Sequence, residues 1–182
     1  MTNYEKIYEI AADNYGLITS EQAKVAGVSD KEMCMIAKRG RMHRVGYGVY
    51  KICDYIPVKN DPFAEAVALV GTDAFLYGES VLGMLELMPF NPNYIYVGTP
   101  KRVRRKLPKN IKLINVPLNE RPTAYDGIQS QGVFDAILAC KSRVETRRLV
   151  TSVKEAREKG YITIQEQRKL TREINKCNPQ TV

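Results

Sequence analysis

Between Thr19 and Ile52 the chain carries two helix-start signals, two glycine stops and a glycine-tipped pair of strands, too closely spaced for many folds to accommodate. Thr19 followed by Gln22 is a capping box, in which the hydroxyl accepts an orphan backbone N–H and the glutamine reaches back to the cap. The predicted helix runs from Ser20 to Ala26 and stops at Gly27, where a left-handed residue is easily accommodated. Val28 fills the turn, and Ser29 with Glu32 repeats the capping logic, so another helix starts within about three residues of the last one ending. A turn this tight makes the two helices cross steeply, which is helix-turn-helix geometry. Small residues at Ala23 and Gly27 let the helices approach.

On the helix after Ser29, stepping 100° per residue puts Met33, Ile36 and Ala37 on one stripe and Lys31, Met35 and Lys38 on the opposite one, with Cys34 and Arg39 at the edges. One face packs and the other is basic. Past Gly40, Arg41 to Val45 alternate as a strand, Gly46, Tyr47 and Gly48 turn, and Val49 to Ile52 return, forming a wing. From Lys38 to Lys51 the cations are Lys38, Arg39, Arg41, Arg44 and Lys51, with no acid among them. Phosphate contacts require such a surface. Ahead of it, Tyr4, Ile7, Ile10, Ala11, Asn14 and Tyr15 make an amphipathic helix closed at Gly16, and Leu17 and Ile18 can add a short strand against the wing. Winged helices also serve as protein-interaction modules, so that alternative stays open.

The 182 residues permit one large domain or two small ones, and cations exceed acids by eight, which favours polyanionic partners. Up to Tyr55 there are eight cations against seven acids, so the surplus belongs to the remainder. Cys34, Cys53, Cys140 and Cys177 are widely separated and only His43 could join them, so no zinc site is expected; Cys34 and Cys140 read as small apolar residues within helices of a reducing compartment. Glu5, Lys6 and Glu9 in the first helix argue against a signal peptide, and no apolar run reaches membrane-spanning length, so a cytoplasmic protein without membrane contact is expected.

Pro57 and the lack of periodicity from Asp54 to Asn60 suggest a linker, giving a winged helix over 1–54, a linker over 55–60 and a second domain over 61–182. Asp61 reads as a cap with Pro62 opening a helix through Phe63, Ala66, Val67 and Val70 to Gly71. Ala74 to Tyr77, Tyr94 to Val97 and Ile111 to Val116 read as strands, and Glu79 to Leu87 as a helix. Asp126 and Gly127 turn the chain before a helix from Ser130 or Gln131 through Cys140. Further helices are expected over Val144 to Lys159 and after the Thr163–Glu166 capping box, with a frayed tail from Asn178. The class expected is α+β, a winged helix-turn-helix followed by a mixed α/β domain with a small sheet. Between the two central strands, Lys101, Arg102, Arg104, Arg105, Lys106, Lys109 and Lys112 form the densest charge in the chain. They read either as a solvated hairpin loop or as a second contact for DNA backbone or structured RNA.

An enzyme is not expected. His43 has no second base for a triad, and GxxxxGK[ST] and GxGxxG loops are absent. Glu65, Glu79, Glu86 and Asp135 have no spacing that signals a nuclease metal site. No cofactor is implied.

The succession GLITSEQAKVAGVSDKEMCMIAKRGRMHRVGYGVYKI, DPFAEAVALVGTDAFLYGESVLGMLEL, YVGTPKRVRRK and GIQSQGVFDAIL resembles the AbiEi family of antitoxins from Leu17 to about Glu158. That resemblance implies a type IV toxin-antitoxin pair acting in phage defence by abortive infection. The antitoxin would neutralise a nucleotidyltransferase-like toxin without a stable complex and repress its own operon at inverted repeats in the promoter. It further implies that Lys31, Met35 and Lys38 face the major groove of double-stranded DNA, that Ser29 and Arg39 lie near phosphates, and that Arg41, Arg44 and Tyr47 belong to the wing.

Overall fold

The computed structural model describes residues 2–89, 91, 93–117, 120 and 122–176. It is an α+β protein of eight helices and eight strands among those residues, and it divides into two compact units. The first takes in residues 1–72 together with 103–108, and the second takes in 73–102 and 109–182.

The first unit opens with α1 (Asn3–Ala12), held by a capping box between Thr2 and Glu5. Tyr15 and Gly16 turn the chain with positive φ into β1 (Leu17–Thr19). Next come α2 (Ser20–Val25) and α3 (Asp30–Lys38), whose capping boxes at Thr19–Gln22 and Ser29–Glu32 both form. The strands β2 (Met42–Gly46) and β3 (Val49–Ile52) close a three-stranded antiparallel sheet in the order β1-β3-β2, with Leu17 opposite Lys51 and Thr19 opposite Val49. A register shift between Arg44 and Gly46 bends the end of β2. One core serves all these elements: Ile7, Ala11, Ile18, Ala23, Val28, Met33, Ile36, Met42, Tyr50 and Ile52 are buried together.

The helix α4 (Asp61–Val70) belongs to this same unit, which differs from the boundary expected at 55–60. The reason is electrostatic as well as apolar. Asn60 occupies the N-cap position without a side-chain cap bond, and Asp61 lies inside the first turn. There its carboxylate accepts from Lys51 Nζ at 2.7 Å, Tyr55 Oη at 2.9 Å and the Val58 N–H at 3.1 Å. Tyr55 also lies against Gly16, where a Cβ would come within 2.5 Å of the ring.

The second unit is built on a mixed five-stranded sheet in the order β6-β5-β4-β8-β7. Its strands are β4 (Phe75–Leu76), β5 (Ile95–Thr99), β6 (Ile111–Asn115), β7 (Thr123–Tyr125) and β8 (Ile128–Ser130). The helices are α5 (Glu79–Met84), α6 (Val133–Ala139), α7 (Thr146–Glu158) and α8 (Ile164–Lys176). Phe75, Leu76, Leu82, Val97, Ile137, Leu149 and Leu170 are among its buried side chains. Two expectations change here. The strands β5 and β6 run parallel, so the basic segment between them is a crossover and not a hairpin loop, because a parallel partner can be reached only by carrying the chain back. Residues 128–130 pair with β7 as an antiparallel strand, and the helix starts at Val133, after Asp126 and Gly127 have made a hairpin turn. The Thr163–Glu166 box caps α8 as expected, with the Glu166 N–H donating to Thr163 Oγ1 at 3.2 Å. The expected tail from Asn178, like Cys177, lies outside the described residues.

Candidate nucleic-acid interface

The 3.6-residue period of α3 separates its two faces as its sequence requires. Met33 and Ile36 are buried, while Lys31, Met35 and Lys38 are exposed. Met35 keeps 44% of its surface and Tyr47 keeps 73%, so neither apolar group is absorbed by the core. Lys31, Lys38 and Arg39 form no ion pair among the described residues.

The N-terminal end of α3 carries acids, and the fold manages them locally. Asp30 pairs with Lys24 across the α2–α3 turn at 2.9 Å, and the hydrogen bond from that lysine holds the Asp30 carboxyl below its ordinary range. Glu32 is likewise held low, first by the Ser29 backbone N–H at 2.8 Å and then by the Ser29 hydroxyl. Ser29, implied as a phosphate neighbour, thus has its hydroxyl engaged in the cap, though it remains exposed. The unneutralised cations are concentrated toward the other end, at Lys38, Arg39, Arg41 and Arg44.

In the β2–β3 hairpin, Arg44 is fixed by its own turn. Its Nε donates to the Gly46 carbonyl at 3.0 Å and its guanidinium lies 5.7 Å from the centre of the Tyr47 ring. Arg41 stacks 4.6 Å over the ring of Tyr4 from α1. Both keep their charge exposed while losing freedom, so less entropy is lost when an anion is engaged. His43 is exposed, with Nδ1 3.9 Å from Cys53 Sγ. Cys34, expected as a small packed residue, is exposed on α3, 3.8 Å from the Tyr50 hydroxyl, whereas Cys140 is buried and its thiol is pushed up to about 12 by burial.

Lys51 leaves the set. Its side chain keeps only 13% exposure and is paired with Asp61, with Glu65 at 3.8 Å, so the acid-free run from Lys38 to Lys51 is not acid-free in space. Strand alternation explains this, since Lys51 points toward α4. In the basic crossover, Lys101 pairs with Asp73 and Arg105 donates to the carbonyls of Leu69 and Val70, while Arg102, Arg104 and Lys106 are exposed. Lys24 and Tyr4 are the contributors missed from sequence; Tyr4 is remote from Arg41 in the chain, and only the packing of α1 brings them together.

Among the described residues no three His, Cys, Asp or Glu side chains cluster as a metal site, and no helix is long and apolar enough to cross a membrane. No protein-family model matches the chain, and no curated protein matches it.

Proposed function

We propose that this protein is a sequence-specific DNA-binding regulator of the winged helix-turn-helix class. The observation that carries the proposal is the division of α3 into a buried Met33–Ile36 stripe and an exposed face of Lys31, Met35 and Lys38, continued by Arg39, Arg41 and Arg44. In such a protein the second helix of the motif enters a major groove and the wing follows the adjoining backbone. Lys31, Met35 and Lys38 would meet base edges, while Arg39, Arg41, Arg44 and the turn at Tyr47 would meet phosphates and sugars. Contacts to phosphate supply affinity and contacts to base edges supply selectivity.

Within that class, the reading best supported by the order of sequence segments is an AbiEi-like antitoxin of a type IV toxin-antitoxin system. It would repress its own operon through the winged helix and neutralise a nucleotidyltransferase-like toxin through the second domain, without forming a stable complex with the toxin. It would act in the cytoplasm, with no cofactor and no catalytic role of its own.

The test couples two readouts. The duplex upstream of the gene should be shifted in preference to an unrelated duplex, and co-expression should rescue growth from the product of a neighbouring nucleotidyltransferase-like gene while affinity capture recovers no complex. A chain that binds neither duplex fails the class. A chain that binds its upstream duplex but rescues nothing fails only the antitoxin reading.

A further inference from the structure

The crossover between β5 and β6 passes through the compact unit that holds α3 and the wing, since residues 103–108 group with residues 1–72. Arg105 holds it there. Its Nε donates to the Leu69 carbonyl at 3.0 Å and a terminal nitrogen donates to the Val70 carbonyl at 2.6 Å. These last carbonyls of α4 have no partner within the helix and sit at the negative end of its dipole, so a guanidinium is favoured there. Leu69 also faces the other way. A Cβ at Gly46 would collide with Leu69 Cδ2, so the leucine side chain closes on the wing while its carbonyl holds the crossover.

One leucine and one arginine side chain therefore link the wing turn to the crossover backbone. With Arg105 committed to α4, its neighbours Arg104 and Lys106 are exposed and form no ion pair among the described residues. Within 103–108 there is no acid.

Resting on the DNA-binding reading above, we propose that residues 103–108 form a second phosphate-contacting element beside the wing, with Arg104 and Lys106 meeting the backbone of duplex DNA and Arg105 positioning them. The segment lies outside the winged-helix motif in sequence and is recruited to it by the α4 C-terminus. Because it touches backbone and not bases, it adds affinity without selectivity.

The full chain is titrated with its upstream duplex and with an unrelated duplex across a range of salt. Arg104→Ala/Lys106→Ala should weaken both by a similar factor and reduce the slope of log affinity against log salt by about two, since each lost phosphate contact removes close to one counterion. Arg105→Ala should reproduce part of the slope loss although its own charge meets α4, and Arg105→Lys should recover some of it. Unchanged melting temperature in the double variant separates this from unfolding. An unchanged salt slope in the double variant, with wild-type binding intact, overturns this assignment alone. So does an equal loss from Arg168→Ala/Arg172→Ala on α8, which would mean that total charge is read and not this segment. So does a preference for a structured RNA over either duplex with the losses confined to that RNA. Absence of any duplex binding by the wild type overturns both the DNA-binding reading and this assignment.

Discussion

Lys51 Nζ lies 2.7 Å from Asp61 Oδ2, with the two side chains only 13% and 8% exposed. This pair joins β3 to the first turn of α4. Asp61 takes two further donors, from Tyr55 and Val58, so its oxygens are well satisfied away from water. Ion pairs this buried add little over an apolar substitute, but breaking one leaves an uncompensated charge.

Asp61→Ala should therefore cost about 3–5 kcal/mol of unfolding free energy in urea. Lys51→Met, which removes the buried cation but leaves Asp61 its Tyr55 and Val58 donors, should cost clearly less. Equal small losses from both would mean the pair is solvated and does not join α4 to the sheet.

Burial, reinforced by the hydrogen bond to Asp61, pushes the Tyr55 phenol up to about 12 from the ordinary 10.0. The unfolded chain ionises this group first, so its contribution to stability is complete below the ordinary value and is lost as pH rises toward about 12. An absorbance titration should show alkaline ionisation lagging behind that of exposed tyrosines, and Tyr55→Phe should remove the latest component. Simultaneous ionisation of all tyrosines would contradict the half-buried, hydrogen-bonded placement of Tyr55.

At the acid end the sign reverses. Glu32 is held low by the Ser29 backbone N–H and hydroxyl, so its share of stability is present above the ordinary glutamate range and is lost as pH falls through the lowered value. A carboxyl-resolved NMR titration should place Glu32 below the ordinary glutamate range. Ser29→Ala should move it only part of the way back, because the backbone donor survives.

Gly46→Ala should cost about 1–3 kcal/mol, because the added methyl meets the buried Leu69 side chain. Leu69→Ala alone leaves a cavity and should cost about 2–5 kcal/mol. The two together should cost less than their sum, since the smaller residue at 69 relieves the collision at 46. Strict additivity in thermal or urea unfolding would show that the two do not touch.

Features written in neighbouring residues were legible from the chain alone. Capping boxes at Thr19, Ser29 and Thr163 need only a hydroxyl and an acid or amide three residues on, and the two faces of α3 follow from helical period. Features set by long-range partners were not. Nothing near Lys51 announces Asp61, and a run of cations looks the same whether Lys101 and Arg105 are partnered or bare. The β5–β6 segment reads as a loop because residue type does not encode strand direction, and its eleven residues, 100–110, fall between a hairpin turn and an ordinary crossover. The strand at 128–130 is not legible, and a helix start at Ser130 or Gln131 looks plausible, because three residues are too few to establish a period of two. On the candidate surface, exposure of Lys31, Met35 and Lys38 followed from sequence, whereas the Lys24–Asp30 pair and the stacking of Arg41 on Tyr4 required the folded chain.

The proposed DNA-binding function rests on the exposed face of α3, and Lys31→Ala/Lys38→Ala addresses that face without touching the core. Binding of the gene's own upstream duplex should fall steeply with salt for the wild type and be lost in the double variant at the same protein concentration, with melting temperature unchanged. Equal affinity of wild type and double variant for that duplex would contradict the account.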